Sequence, residues 1–258
     1  MTATPPLAQR QISVILPSFR DARIVNAIAS IRLFDDCGAV RLVVIDGGSP
    51  PELVAAIQRL LNPDDVLVSE PDKGIFDGLN KGLDRVATPY VGWLGSDDLY
   101  SGAVKASEVI ARLTDHDLFV CSLYLTDGPR ILRYTHARYA AMGLVRFGLH
   151  NPHYATFGRA ATLCAERFDI ANIGADIGYF LRIFAKRLRV AATPKVAVLQ
   201  EQGGFSTQSK RKILRINREV YRYYRERQNP VGAQQAHQFL RFGLVADHHG
   251  GDRGLRHA

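Results

Sequence analysis

Apolar residues fall in short, nearly unbroken runs separated by polar turns and by stretches of helical spacing. Residues 12–17 (ISVILP) read as a buried first strand, and the loop SFRDARIV leads from it into a helix over about residues 26–33. Residues 42–45 form a second apolar strand that stops at Asp46, Gly47 and Gly48, and a helix follows over about 51–61. A third strand, 66–69, runs into Glu70, Pro71, Asp72 and Lys73. After a short helix a fourth, 90–94 (YVGWL), breaks abruptly into Gly95, Ser96, Asp97 and Asp98. Uniformly apolar strands that alternate with helices predict an α/β fold whose mainly parallel central sheet is covered on both faces.

In such sheets ligands bind beyond the carboxyl ends of the strands, and here those ends carry Asp46, Asp72, Asp97 and Asp98. Adjacent carboxylates repel unless water, a cation or hydrogen-bond donors offset their charge, and hard divalent cations favour such oxygens. The pair therefore suits a Mg2+ or Mn2+ nucleotide site, while a turn with Asp98 as a helix cap is the plainer alternative. Gly74, Gly78 and Gly82 recur every four residues without a GxGxxG pattern, a spacing that suits close helix packing better than a phosphate cradle. Lys73 and Lys81 are candidates to neutralise a diphosphate or are simply solvated.

With 258 residues and 47% hydrophobic content, one medium domain over about 10–205 and an extension over 206–258 are expected. Cys37, Cys121 and Cys164 have no paired spacing, which points to a reducing compartment and away from a disulfide framework or a zinc site. The amino end lacks the apolar core of a signal peptide, and no run reaches the ~18 apolar residues of a membrane span. A cytoplasmic protein, or one peripheral on the inner membrane face, is expected. The net charge of +8 is concentrated: KRKILRINREVYRYYRER, 210–227, holds eight Lys or Arg against two Glu, with Ile213, Ile216, Val220 and Tyr224 at helical spacing. That basic amphipathic helix could pack on the domain or lie on an anionic membrane surface. Nucleic acid is not expected, because no recognition motif accompanies the charge. The glycine-rich end after Gly250 is expected to be disordered.

Four segments, VILPSF, VVIDGGSP, SEPDKGIFDGLNKGL and YVGWLGSDD, resemble in order and spacing the family 2 glycosyltransferases of the branch that builds bacterial surface polysaccharides. The resemblance covers roughly 12–206 and continues through HYATFGR, GADIGYFLRI and VAVLQEQGGFST. It implies a GT-A fold, a nucleotide-diphosphate sugar donor such as a UDP-sugar, a divalent Mn2+ or Mg2+, and inverting transfer of a hexosyl or N-acetylhexosaminyl group. The acceptor it implies is a glycan or lipid-linked sugar. It places Asp98 on the metal and Asp97 at the ribose, with Pro17, Ser18, Asp46, Asp72, Lys73, Asn80 and His153 as further donor contacts and Asp176 as catalytic base. Ser96, Gly47 and Gly178 stand where the family often has acids.

Asp176 also fits a plainer reading, a carboxylate stabilised at the start of the helix IGYFLRIFAK. His153, beside Tyr154 and Phe157, is equally compatible with packing. Asp46 could contact a base, orient its loop or cap the next helix. A sugar nucleotidyltransferase would need a glycine-rich, Arg-containing phosphate loop after the first strand, which SFRDARIV is not, and the glycine fingerprint of an NAD dehydrogenase is missing. A nucleotide-sugar-binding protein without turnover stays open on account of Ser96, Gly47 and Gly178. The region 121–151, where acceptor choice is expected to reside, carries no diagnostic motif.

Overall fold

The four strands read from the apolar runs zip together in parallel. In the computed structural model β1 (Ile12–Ser18), β2 (Val40–Asp46), β3 (Val66–Ser69) and β4 (Tyr90–Trp93) take the spatial order β3, β2, β1, β4. The structure describes residues 10–142, 152–172 and 174–203, together with Arg215, Arg218, Tyr221, Arg222 and Arg225, which are helical. The uniform apolarity of the strands has a direct cause. Val14, Leu16 and Leu42 belong to one core layer, while Ile15, Val43 and Ile45 belong to the other.

Helices α1 (Ile24–Phe34) and α2 (Pro51–Gln58) cover the first layer through Ile24, Ile28, Ile31, Phe34 and Ile57. Helix α3 (Ile75–Leu83) covers the second through Leu79 and Leu83. It lies so close to β1 that a Cβ on Gly82 would stand 2.3 Å from Ile15 Cγ2. Gly82 and Gly78 therefore serve helix packing, as their spacing suggests, whereas Gly74, at φ 111° with nothing within 4 Å of a Cβ, serves the turn into α3. Helix α2 stops at Gln58, three residues short of the expected end.

The second half builds outward from β4. After β5 (Leu99–Tyr100) and α4 (Ala106–Asp115), strand β6 (Leu118–Asp127) forms a hairpin with β7 (Arg130–Thr135), and α5 (Arg138–Ala141) follows. A 3-10 turn (His153–Ala155) runs into β8 (Thr156–Arg159), then α6 (Ala160–Leu163), α7 (Ala175–Phe184) and β9 (Val190–Glu201). Strand β8 is inserted antiparallel between β4 and β6, β9 runs parallel to β6, and β5 is antiparallel on β9. The sheet is mainly parallel, as expected, with antiparallel additions that the apolar runs do not announce. No helix starts after Asp98 until Ala106, so the helix-cap reading of Asp98 is set aside.

At the opposite, amino-terminal edge, buried charges hold the strands together. Arg10 donates from Nε to Asp64 Oδ2 at 2.6 Å and from Nη1 to the carbonyls of Gly38 and Val40, both at 2.8 Å. Asp65 accepts the Leu42 and Asn62 N–H groups, each at 2.7 Å, and pairs with Arg32. Such charges are tolerated inside a protein only because they are hydrogen-bonded.

The three cysteines are free. Among the described residues no helix is long and apolar enough to cross a membrane. The expected basic helix over 210–227 lies mostly outside the described residues, as do the glycine-rich end and most of the proposed extension. Of the part described, Tyr221 packs against the second core layer, which includes Phe180 and Phe184, while Arg215, Arg218, Arg222 and Arg225 are exposed.

Candidate active site

Backbone register sets Ser18, Asp46 and Ser69 abreast at the carboxyl ends of β1, β2 and β3. Asp46 is fully buried. Its carboxylate accepts the N–H groups of Gly48 (3.2 Å) and Ser49 (2.9 Å) and the hydroxyls of Ser49 (2.5 Å) and Ser69 (2.7 Å). Burial alone would raise its pKa, but the hydrogen bonds from Ser49, Ser69 and Gly48 outweigh burial and hold it below the usual carboxylate value. Of the three roles open to Asp46, the side chain is engaged in ordering the β2–α2 loop, and it does not cap α2.

Asp72 sits one loop away. Its Oδ1 accepts the Gly74 N–H at 2.9 Å, and a Cβ on Gly47 would stand 2.8 Å from its Oδ2. A carboxylate from the neighbouring loop thus fills the space that a side chain at position 47 would enter. Pro17 is buried beneath α3, 3.7 Å from where a Cβ on Gly78 would lie. Ser18 Oγ is buried and has no hydrogen-bond partner among the described residues, an orphaned hydroxyl at the strand ends. Lys73 is exposed on the loop. Lys81 is engaged with Glu70 at 2.8 Å. The Asn80 amide is committed as well: Nδ2 donates to Phe168 O and Oδ1 accepts the Phe168 N–H, both at 2.9 Å. It staples α3 to the segment before α7.

The acidic turn after β4 depends on Gly95. A Cβ there would stand 2.7 Å from Asp98 Oδ2 and 2.9 Å from Asp97 Oδ1, so only glycine lets both carboxyl groups fold back over the strand end. Asp98 is 2% exposed, and its Oδ1 accepts the Glu201 N–H of β9 at 3.0 Å. Burial first, then the charge of Asp97, pushes the Asp98 pKa well above its ordinary value. Asp97 is also raised, chiefly by burial, with Arg23 opposing. Two adjacent carboxyl groups that resist ionisation fit a divalent cation, whose charge would offset theirs. Among the described residues no three His, Cys, Asp or Glu side chains converge on an ion position.

Asp176 lies in the first turn of α7, behind Gly174. Its Oδ2 is 3.8 Å from His153 Nδ1. His153 is held from the strand side, where its carbonyl accepts the Trp93 indole N–H at 2.5 Å, and its ring lies 4.2 Å from that of Tyr154. Tyr154 is half-buried, and its pKa is raised first by burial and then by Asp98, Asp176 and Asp97. Tyr154 thus lies within electrostatic reach of both the acidic turn and Asp176.

The loop after β1 holds residues that sequence reasoning passed over. Asp21 Oδ2 accepts the Ser96 hydroxyl at 3.1 Å, and Arg23 pairs with Asp21 at 2.9 Å and Asp97 at 3.6 Å. Arg20 adopts φ 52°, donates its N–H to Ser49 Oγ at 2.8 Å, and stacks its guanidinium 5.0 Å from the ring centre of the exposed Phe19. The available signal was positional: FRDAR directly follows a strand that ends on the ligand side of the sheet.

The profile of glycosyl transferase family 2 matches residues 13–173. A PGL/p-HBAD biosynthesis glycosyltransferase of Mycobacterium tuberculosis is 27% identical over 137 residues, covering 52% of this chain and 52% of that protein. An uncharacterized glycosyltransferase of the same species is 30% identical over 115 residues, 44% of this chain and 42% of the relative. The chain thus spans about half the length of the curated relatives it matches. Among solved structures, S. aureus TarS in complex with UDP-GlcNAc aligns with a TM-score of 0.62 at 15% identity, over 91% of this chain and 71% of that one. A mannosyltransferase from Pyrobaculum calidifontis in complex with GDP-Man and Mn2+ aligns with a TM-score of 0.61 at 16% identity, over 96% and 78%. The fold is the GT-A type shared by these glycosyltransferases.

Asp46→Asn keeps the shape but turns an NH2 toward donors, and is expected to lower unfolding free energy at pH 7 by about 1–3 kcal/mol. Because the folded-state pKa of Asp46 is depressed, its stabilisation is full above an unfolded value of about 3.9 and is lost as pH falls through the lower folded value. Urea denaturation should therefore show a gap between parent and variant at pH 7 that narrows below about pH 4. A gap independent of pH would contradict this account.

Proposed function

The chain belongs to glycosyl transferase family 2, and on that premise we propose that it transfers a sugar, with inversion, from a nucleoside-diphosphate donor to a glycan or lipid-linked acceptor in bacterial polysaccharide or glycolipid assembly. The observation that carries the reading is the acidic turn at the carboxyl end of β4, where Asp98 is buried beside Asp97, together with Asp176 standing beside His153 in the first turn of α7.

The residues divide the work along the sheet. The ends of β1, β2 and β3, with Pro17, Ser18 and the loops ordered by Asp46 and Asp72, receive the nucleoside, a uridine in the favoured case, and the orphaned Ser18 hydroxyl is available to it. Asp97 would reach the ribose hydroxyls. Asp98, with Asp97 beside it, would hold Mn2+ or Mg2+, whose charge offsets the negative charge that builds on the departing diphosphate. Asp176 accepts the proton of the acceptor hydroxyl as that oxygen attacks the anomeric carbon opposite the leaving group. His153 borders the carboxylate from the strand side.

The basic face made by Arg215, Arg218, Arg222 and Arg225 is exposed while Tyr221 faces the core, which supports a role on an anionic membrane carrying a lipid-linked acceptor. Each basic residue near such a surface contributes about 1 kcal/mol, an attraction that salt screens.

Asp98→Ala is expected to abolish the Mn2+ enhancement of nucleoside-diphosphate binding in calorimetry, since it removes a hard oxygen ligand. Binding of metal and nucleotide like the parent's would sink the assignment. Asp176→Asn cannot take a proton, so transfer should fall by about 10²–10⁴ while donor affinity stays near that of the parent. Unaltered turnover would return Asp176 to a helix-stabilising role. Changing all four arginines to Gln should release the chain from anionic vesicles at low salt and leave hydrolysis of soluble donor intact. Cosedimentation equal to the parent's would assign the face to something other than a membrane.

A further inference from the structure

The acidic turn has too little positive charge to receive a diphosphate. Asp97 is coupled electrostatically to Asp21 and Glu201, and Asp98 to Asp97, so four carboxyl groups cluster at the end of β4. A single divalent ion leaves that cluster short of positive charge once a donor adds its own phosphates. Among the described residues Arg23 is a cation that acts on both Asp97 and Asp98, whereas Lys81 is engaged with Glu70 and Arg20 with the Phe19 ring.

The geometry of Arg23 is that of a group held ready rather than locked. Its Nε and Nη2 fork onto Asp21 Oδ1 and Oδ2, both at 2.9 Å, and Nη2 stands 3.6 Å from Asp97 Oδ2. Asp21 is itself tied to the turn through the Ser96 hydroxyl at 3.1 Å. Ser96 is the position where an acid would complete a DxD, and its hydroxyl joins the β1–α1 loop to the metal turn instead. The Arg23 side chain is 51% exposed. Exposed ion pairs contribute little to stability, so holding the fold together is a weak reason for this arrangement. A planar guanidinium fork does, however, match phosphate oxygens.

We propose that Arg23 is a donor-binding residue that engages the diphosphate, poised by Asp21 beside Asp97 until the donor arrives. The inference rests on the nucleoside-diphosphate reading above and adds to it a residue from the β1–α1 loop. Loading then exchanges one anionic partner for another, Asp97 for phosphate, and leaves Asp97 free for the ribose or the ion.

The test uses the full chain, Mn2+, and whichever of UDP, GDP or dTDP the parent binds most tightly, with the matching nucleoside as control. Arg23→Gln should weaken diphosphate binding about 10- to 100-fold in calorimetry, as expected for losing charge-assisted hydrogen bonds, and leave nucleoside binding, followed by NMR, unchanged. Arg23→Lys keeps the charge without the fork and should lose less; should the Gln variant fail to fold, the Lys variant carries the same comparison. Diphosphate binding equal to the parent's, or equal losses for diphosphate and nucleoside, would overturn the inference and leave Arg23 as a brace for its loop. A parent that binds no nucleoside diphosphate would overturn the donor reading as well.

Discussion

A carboxyl group buried at the end of a strand must be compensated, and Asp98 finds its compensation 103 residues away in the Glu201 N–H. That bond draws the end of β9 over the acidic turn. The Glu201 side chain continues the connection, accepting the Thr126 hydroxyl and the Gly128 N–H, both at 2.9 Å, so that the β6–β7 turn hangs from the same residue. Backbone hydrogen bonds from Glu201 and Gly95 offset only part of the cost of burying Asp98 beside Asp97, and its pKa stays well above the ordinary carboxylate value.

Apolar packing joins α7, which carries Asp176, to the strand ends. Trp93 meets Phe168, Tyr179 and Phe180 edge-on at 6.0, 5.9 and 5.6 Å, and Phe168 stacks between Tyr179 at 4.1 Å and Phe76 at 5.6 Å. This column runs from α3, which borders the donor loops, to α7, which carries Asp176. Each such pair contributes about 0.5–1.5 kcal/mol beyond the area it buries, and Asn80 adds a two-point staple to the Phe168 backbone. The indole N–H that locates His153 comes from the same Trp93.

The three departures from the family pattern have different structural outcomes. Gly47 leaves room that the Asp72 carboxylate occupies. Ser96 turns its hydroxyl to Asp21 and so recruits an acid and a guanidinium from another loop. Gly178 is buried in α7, with no nearby acid in its place on the helix, and Asp176 remains the acid of that turn. Two of the three sites thus regain charge from residues distant in sequence.

The parallel half of the fold was legible in the sequence because its strands are buried on both faces, and unbroken apolar runs such as ISVILP and YVGWL leave few alternatives. The acids at the strand ends were legible for the same reason: carboxylates that abruptly end such runs stand out. Strands β6, β8 and β9 were not read, since β6 pairs with β8 and β9 across about 36 to 75 residues and no local pattern encodes that. The β6–β7 hairpin is local, turning after Asp127 at Gly128, and was missed although its signal lay in the sequence. Nor could the sequence separate the carboxylates by role. Asp46 and Asp98 look alike as letters after a strand, yet one accepts from four donors and the other is met by the Glu201 and Gly95 backbone with an added charge beside it. That difference, like the placement of Arg23 on Asp97, arises only when separate loops meet above the sheet, because charge and hydrogen-bond balance belong to the space around a group and not to its place in the chain.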